Sequence, residues 1–446
     1  MFDRIRGRAA SLALASALLA SGTTALAATA AAAPHGNILL GPNTACAWGF
    51  QAGPDKVNIA YPDTGATYRG SNMAVPRGGY IEISGQFPHA RYLSMATYSR
   101  TSASVDGLND QAIVPDAGSV NPFLDGADRT AGNRSYTVRL VDGRAPETDR
   151  PANTLYTTSS DGTRSTAPNG ALFLIRVYLP DTGADLAGGV PLPTVTLVEA
   201  DGRRSTVPAC EPAGYAAPAT DPGTGAALFD TPAIGLFGTN PPAWSKFTNL
   251  PTAIAGLLFG NEITGDTVLP RVQEVTERLG AAGGFFDNPD NKYIATTTDT
   301  GLGQVLVLRG KAPTAPHTLA GTARMGAGQV RYWSVCSNNP WSTAVYQCVY
   351  DEQIPVDAQG FYTIAVSTGP HRPANARTEC GIAWLPAGTL PQAVLMVRNM
   401  MPSPGFTESI QNLTRGSEAA GMGPYYPGGE YYRTVADFEA TGCQGN

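Results

Sequence analysis

The tetrapeptide Arg-Pro-Ala-Asn occurs twice in this chain, and each copy stands at the same distance from a second arginine. Arg150-Pro151-Ala152-Asn153 lies 23 residues before Arg176 in the run Leu172–Pro180, and Arg372-Pro373-Ala374-Asn375 lies 23 before Arg398 in Val394–Pro402. Both runs end in proline four residues past the arginine. Further pairs follow in the same order. Ala90-Arg-Tyr-Leu-Ser-Met matches Val330-Arg-Tyr-Trp-Ser-Val, Asp110 to Gly118 matches Asp351 to Gly360 with one insertion, and Tyr136-Thr-Val matches Tyr362-Thr-Ile. Ordered self-similarity of this kind is the mark of an internal duplication. Two weaker echoes extend it: Asn291-Lys-Tyr with Asn58-Ile-Ala-Tyr, and Gln304 to Gly310 with Tyr80 to Gly85.

Each copy consists of short runs rich in Val, Ile, Tyr and Thr, separated by turn signals such as Asp142-Gly, Asp161-Gly and Asp201-Gly. That punctuation predicts an all-β fold, two tandem jelly-roll-like antiparallel β-sandwich repeats. The first repeat is expected over 43–210. A linker and partly helical insertion fills 211–287, with its clearest helix over Thr267–Leu279, capped by Asp266 and ended by Gly280. The second repeat and a Gly/Tyr-rich tail occupy 288–446.

The N-terminus reads as a secretory signal over 1–27: Arg4, Arg6 and Arg8, an apolar stretch from Ser11 to Gly22, then Ala25-Leu-Ala27. The apolar stretch is too short to span a bilayer, so the expected location is secreted or periplasmic with no membrane span. Cleavage would remove three Arg and one Asp, moving the formal charge from −6 to −8. A mildly acidic chain of this kind lacks the cationic footprint of a nucleic-acid binder.

Six cysteines in an exported chain favour disulfides, and fifteen pairings are open. Cys46 and Cys210 bracket the first repeat, Cys336 and Cys348 lie within a hairpin's reach, and Cys380 and Cys443 remain. That is the preferred set, each bridge contributing about 2–4 kcal/mol.

No nucleophile elbow, HExxH, P-loop or EF-hand pattern occurs, and no metal or cofactor is implied. The repeated arginines carry the most information. On alternating strands Arg91, Arg176, Arg331 and Arg398 share faces with apolar residues, so each needs an acceptor. Asp110 and Asp351, or the carboxamides of Asn153 and Asn375, are the acceptors present in both copies. Either the arginines form an internal network that fixes sheet register, or they stay partly open for a ligand carboxylate or phosphate. The histidines break the repeat: His89 faces Gln329 in the alignment, His317 lies in a loop that the first copy lacks, and His371 adjoins the second Arg-Pro-Ala-Asn. A ligand pocket is therefore expected around His89, Arg91, Asp110, Asn153 and Arg176. Two side readings are calcium on the acidic stretch Asp106 to Asp128, and a sugar-stacking surface of Trp341, Tyr425, Tyr426, Tyr431 and Tyr432, with ordinary turns and packing as their alternatives.

Tyr61-Pro-Asp63, Gly85 to Ser94, Ile113 to Phe123 and Leu174 to Pro180 resemble bacterial proteins carrying the "domain of unknown function" families 1254 and 1214; Arg331-Tyr-Trp-Ser-Val and Trp384-Leu-Pro386 resemble the second of these. The resemblance implies a jelly-roll-like β fold in exported proteins and transfers no catalytic residue. The functional expectation is an exported protein that binds a small organic or carbohydrate-like ligand in a pocket of the duplicated sandwich. The alternative is an extracytoplasmic hydrolase or lyase using His and carboxylate as acid and base. Oligomeric state is not legible.

Overall fold

The computed structural model of the chain describes residues 45–54, 56–58, 60–99, 103–166, 169–210, 238–247, 286–340 and 343–443. The expected leader, the Thr267–Leu279 helix and Trp341 lie outside these residues.

The first unit has strands β1 Phe50–Ala52, β2 Ala66–Ala74, β3 Tyr80–Gln86, β4 Ala90–Tyr98, β5 Ser104–Asn109, β6 Ser135–Arg144, β7 Thr154–Thr158, β8 Gly170–Pro180, β9 Thr194–Val198 and β10 Arg204–Val207. The second has β11 Ser245–Phe247, β12 Asn291–Asp299, β13 Val305–Lys311, β14 Tyr332–Asn338, β15 Val345–Tyr350, β16 Phe361–Ser367, β17 Ala383–Pro386, β18 Gln392–Met400 and β19 Gly428–Tyr432. Two short helices, α1 Glu418–Met422 and α2 Val435–Glu439, flank β19.

The sheets repeat in the same strand order, except that β10 has no counterpart in the second unit. One sheet runs β1-β2-β8-β4-β5 in the first unit and β11-β12-β18-β14-β15 in the second. The other runs β10-β9-β3-β6-β7 and β19-β13-β16-β17, so each unit is a two-sheet β-sandwich. Register fixes the equivalences. Arg176 lies between Tyr68 and Ser94, while Arg398 lies between Tyr293 and Ser334. Gly85 opposes Tyr136 and Gly310 opposes Tyr362. At both glycines a Cβ would run into the facing tyrosine hydroxyl, at 2.9 and 2.8 Å, which explains that shared residue.

Register also corrects two sequence matches. Tyr293 is the counterpart of Tyr68, so Asn291 answers Ala66 rather than Asn58. The two Arg-Pro-Ala-Asn asparagines do not coincide. Thr154 pairs with Arg139 and Trp384 with Ala365, the equivalent position, so Asn153 stands where Ala383 does. The equal spacing arises because loops of different length before and after the parallel strand compensate.

The central strands β4 and β14 are buried at every residue, and β8 at all but its terminal proline. Alternation is lost because their second face meets the other unit. Tyr92, Tyr178 and Leu179 of the first unit pack with Tyr332 and Met400 of the second, and the Tyr178 and Tyr332 rings sit 5.5 and 5.4 Å from Tyr92 and Tyr178 respectively.

Disulfides join Cys46 to Cys210, Cys336 to Cys348 and Cys380 to Cys443, the set that the sequence favoured. Three bridges suit an oxidising environment. Among the described residues no helix is long and apolar enough to cross a membrane.

Candidate ligand-binding site

The arginines of β4 and its counterpart are internal struts, and they cross between units. Arg91 donates to Asp351 at 2.5 Å, to Thr318 at 3.0 Å and to Glu352, all in the second unit. Arg331 donates back to Asp110 at 3.3 Å, to the Arg91 carbonyl at 3.2 Å and to the Phe123 carbonyl at 3.1 Å. Asp110 and Asp351 each donate their own backbone N–H to the strand that carries the arginine of their own unit, at Leu93 and Trp333. Each aspartate therefore serves the other copy's arginine, as in an isologous dimer interface fused into one chain.

Burial raises the Asp110 carboxyl to about 7, with Arg331 opposing the shift. A carboxyl whose pKa is higher folded than unfolded contributes stability that is present below its ordinary value near 4 and lost as pH rises through about 7. Unfolding free energy is thus expected to fall by a few kcal/mol, on the order of the linkage for such a shift, between pH 4 and pH 8. Asp110→Asn should flatten that slope in chemical denaturation across the same range; an unchanged slope would place the titration elsewhere.

The other expected site residues do not converge. Arg91 and Arg176 project from opposite faces of the first sheet, since Arg176 faces Ser94 and Arg91 is three residues away. Asn153, with φ of 51°, bonds Val114 N–H at 2.8 Å and the Val114 and Thr137 carbonyls, pinning a loop to the second sheet. Asn375 instead holds the tail through the Phe438 and Gly442 carbonyls. His89 has both ring nitrogens within 2.8 Å of Arg134 Nη1, and burial followed by that guanidinium lowers its pKa. Its backbone clasps the 181–188 loop, bonding Gly188 O and Asp181 N. His317 is exposed and lies 3.7 Å from Glu352, and His371 contacts Thr368.

In the acidic stretch Asp106 takes both Arg150 nitrogens at 2.7 Å, Asp110 holds Arg331, and Asp128 accepts from Thr130. The cluster of Asp63 with Cys336 and Cys348 fits no metal, because those sulfurs are bonded to each other. Tyr425, Tyr426, Tyr431 and Tyr432 pack rather than form a stacking surface: Tyr425 sits edge-on to Phe406, Tyr432 on Phe438, and Tyr426 and Tyr431 accept from Trp244 and Asp299 backbone N–H.

A cavity of about 410 Å³ opens elsewhere, between the two sheets of the first unit. Thr67, Leu93, Ile175 and Val177 form one wall, Tyr136 the other, and Leu186, Val190 and Leu192 of the β8–β9 connection its mouth. Arg69 and Gln86 also reach it. Tyr136 is fully buried, yet among the described residues its hydroxyl has no hydrogen-bond partner. Leu186 is 58% exposed at the entrance, an apolar side chain left in solvent where the cavity opens. Asp185 also lines it, accepting from Ala187 and Gly189 N–H at 3.0 and 2.9 Å through Oδ1.

No family model matches the chain, and no curated protein matches it. Two solved structures are similar in outline. One is an uncharacterized protein from Burkholderia cenocepacia, with TM-score 0.40 and 13% identity over 78% of this chain and 75% of that one. The other, from Vibrio parahaemolyticus, has TM-score 0.39 and 12% identity over 85% and 92%. Likeness at this level carries no functional argument.

The two copies differ at the cavity itself. Leu93 is the counterpart of Trp333, whose ring packs 5.3 Å from Tyr362. The first unit's β8–β9 connection is the short loop 181–193, while the second's β18–β19 connection, 401–427, drives Phe406, Ile410, Leu413, Met422 and Tyr425 into its core. Among the described residues the second sandwich is thus packed by its own chain where the first is open. Sequence reasoning placed none of Leu93, Arg69 and Tyr136 in a pocket. The Leu-to-Trp difference and the unequal connections were the available signals.

Proposed function

We propose that this is an exported binding protein whose first repeat holds one small, largely apolar organic molecule between its sheets. The observation that carries this reading is the contrast between the copies: the same scaffold is plugged in one and hollow in the other. Well-formed apolar cavities of a few hundred Å³ with a few polar groups are the usual form of a small-molecule site. Tyr136 offers the ligand one hydrogen bond. Aliphatic walls favour an apolar body over a sugar, which would need more polar partners. The lining carries no histidine or cysteine, which favours binding over the His-based hydrolase or lyase. The three disulfides support an extracytoplasmic location, and the leader-like start of the sequence fits it; the jelly-roll description belongs to the same reading.

The test uses N-phenyl-1-naphthylamine, a neutral apolar dye, displaced by 1-octanol or octane. Saturable blue-shifted fluorescence is expected, with octanol displacing better than octane. Tyr136→Phe should reduce the advantage of octanol about 10-fold or less, the worth of one neutral hydrogen bond, and leave octane unchanged. Dye uptake that never saturates would sink the reading.

A further inference from the structure

A second, smaller cavity of about 50 Å³ lies between the two units, and both β8-type arginines line it. With Arg176 and Arg398 it is bounded by Tyr61, Tyr68, Tyr178 and Tyr293. The two arginines are equivalent by register but are not equally satisfied. Arg398 donates to the Asp63 carboxylate through Nη1 and to the Tyr61 carbonyl through Nη2 at 3.0 Å. Arg176 donates through Nη2 to the Phe286 carbonyl at 2.5 Å, and Phe286 is the counterpart of Tyr61, with φ of 53° against 52°. The carboxylate has no counterpart. Counting back from the paired strands, Asp63 corresponds to Asn288, whose carboxamide is engaged with Tyr92.

That single difference leaves the first unit's arginine without a carboxylate. At the second unit's arginine, Asp63 of the first unit accepts from Arg398 and from Ser334 Oγ at 2.8 Å. In the first, Arg176 Nη1 and Ser94 Oγ, the same two positions, are buried and meet no carboxylate among the described residues; the groups beside them are the Tyr98 and Tyr92 hydroxyls. Asp63 is saturated by Gly65 N–H, Tyr332, Ser334 and Arg398. Arg176 is 1% exposed and pairs with no carboxylate among the described residues; its charge rests on the faces of Tyr68 and Tyr98, 5.6 and 5.2 Å away. Guanidinium does not deprotonate in proteins, and an uncompensated buried charge is costly. The tyrosine pair adds a further donor. Asp63 N–H donates to Tyr68 Oη, Asn291 Nδ2 donates to Tyr178 Oη, and the two hydroxyls share one bond at 3.0 Å, so one of their two protons is left over.

We propose that this cavity binds one small monovalent anion, a halide or a carboxylate of formate size, against Arg176. The anion takes the role that Asp63 plays for Arg398 and ties the two repeats together. The volume suggests the size class: about 50 Å³ suits an ion of halide or formate size. This site is separate from the sandwich cavity of the first unit and does not depend on it.

The full chain is melted in sodium gluconate, formate and bromide at equal ionic strength. Wild type is expected to melt at least 3 °C higher in formate or bromide than in gluconate, whose anion is too large to enter. Asn288→Asp builds the missing carboxylate into the chain; its melting temperature should be the same in all three salts. Equal melting of wild type in all three salts, or an unchanged difference in Asn288→Asp, would overturn the proposal. As a second readout, anomalous diffraction from bromide-grown wild-type crystals should show a peak within hydrogen-bond distance of Arg176 Nη1. Ordered water there and no bromide would also overturn it.

Discussion

Replacing Arg398 with Met is expected to cost about 3–5 kcal/mol, the loss typical of breaking a buried ion pair from one side. The change removes the cation from Asp63, which is fully buried and reaches across from the first unit to Tyr332 and Ser334 of the second. Methionine fills much of the arginine's volume, so the loss reports the stranded carboxylate rather than a hole. Adding Asp63→Asn in the same chain should recover a large part of it, because both charges are then gone. Urea denaturation of the two single variants and the double variant measures the coupling. Additive losses would mean that the pair contributes nothing across the interface.

Leu93→Trp is expected to abolish ligand binding while the fold is retained. The substitution copies the residue that the second unit places at the same register position, and the side chain has the 410 Å³ cavity to enter. Overpacking a filled core costs roughly 1–3 kcal/mol, so a melting temperature held near that of wild type is itself evidence that the space is open. Val190→Trp plugs the cavity from its mouth and gives an independent second block should Leu93→Trp fold poorly. Dye titration against either variant should show no saturable uptake. Wild-type affinity in both plugged variants would place the ligand outside the cavity.

Much of the architecture was legible in the sequence because duplication writes it twice. Arg176 and Arg398 do occupy one register position, as do Tyr136 and Tyr362, and the disulfides are the set preferred among fifteen. What duplication does not reveal is which copy a side chain faces. Arg91 and Asp110 are near neighbours in sequence, yet each finds its partner in the second unit. The repeated asparagines misled for a different reason: a constant spacing between two landmarks says nothing about the strand between them. The cavity was hidden because a hollow is defined by the side chains that fail to fill it. The sequence carries it only as a comparison, Leu93 against Trp333 and thirteen connecting residues, 181–193, against the longer 401–427. Arg176 was expected beside His89, but its neighbours are tyrosines of the repeat interface.

The central claim is that one repeat of two is hollow and takes the ligand. Isothermal titration calorimetry with 1-octanol, read together with native mass spectrometry of the dye complex, tests it most directly through stoichiometry. One molecule per chain for wild type and none for Leu93→Trp is the predicted result. Two per chain, or one per chain that persists in both Leu93→Trp and Val190→Trp, would contradict it.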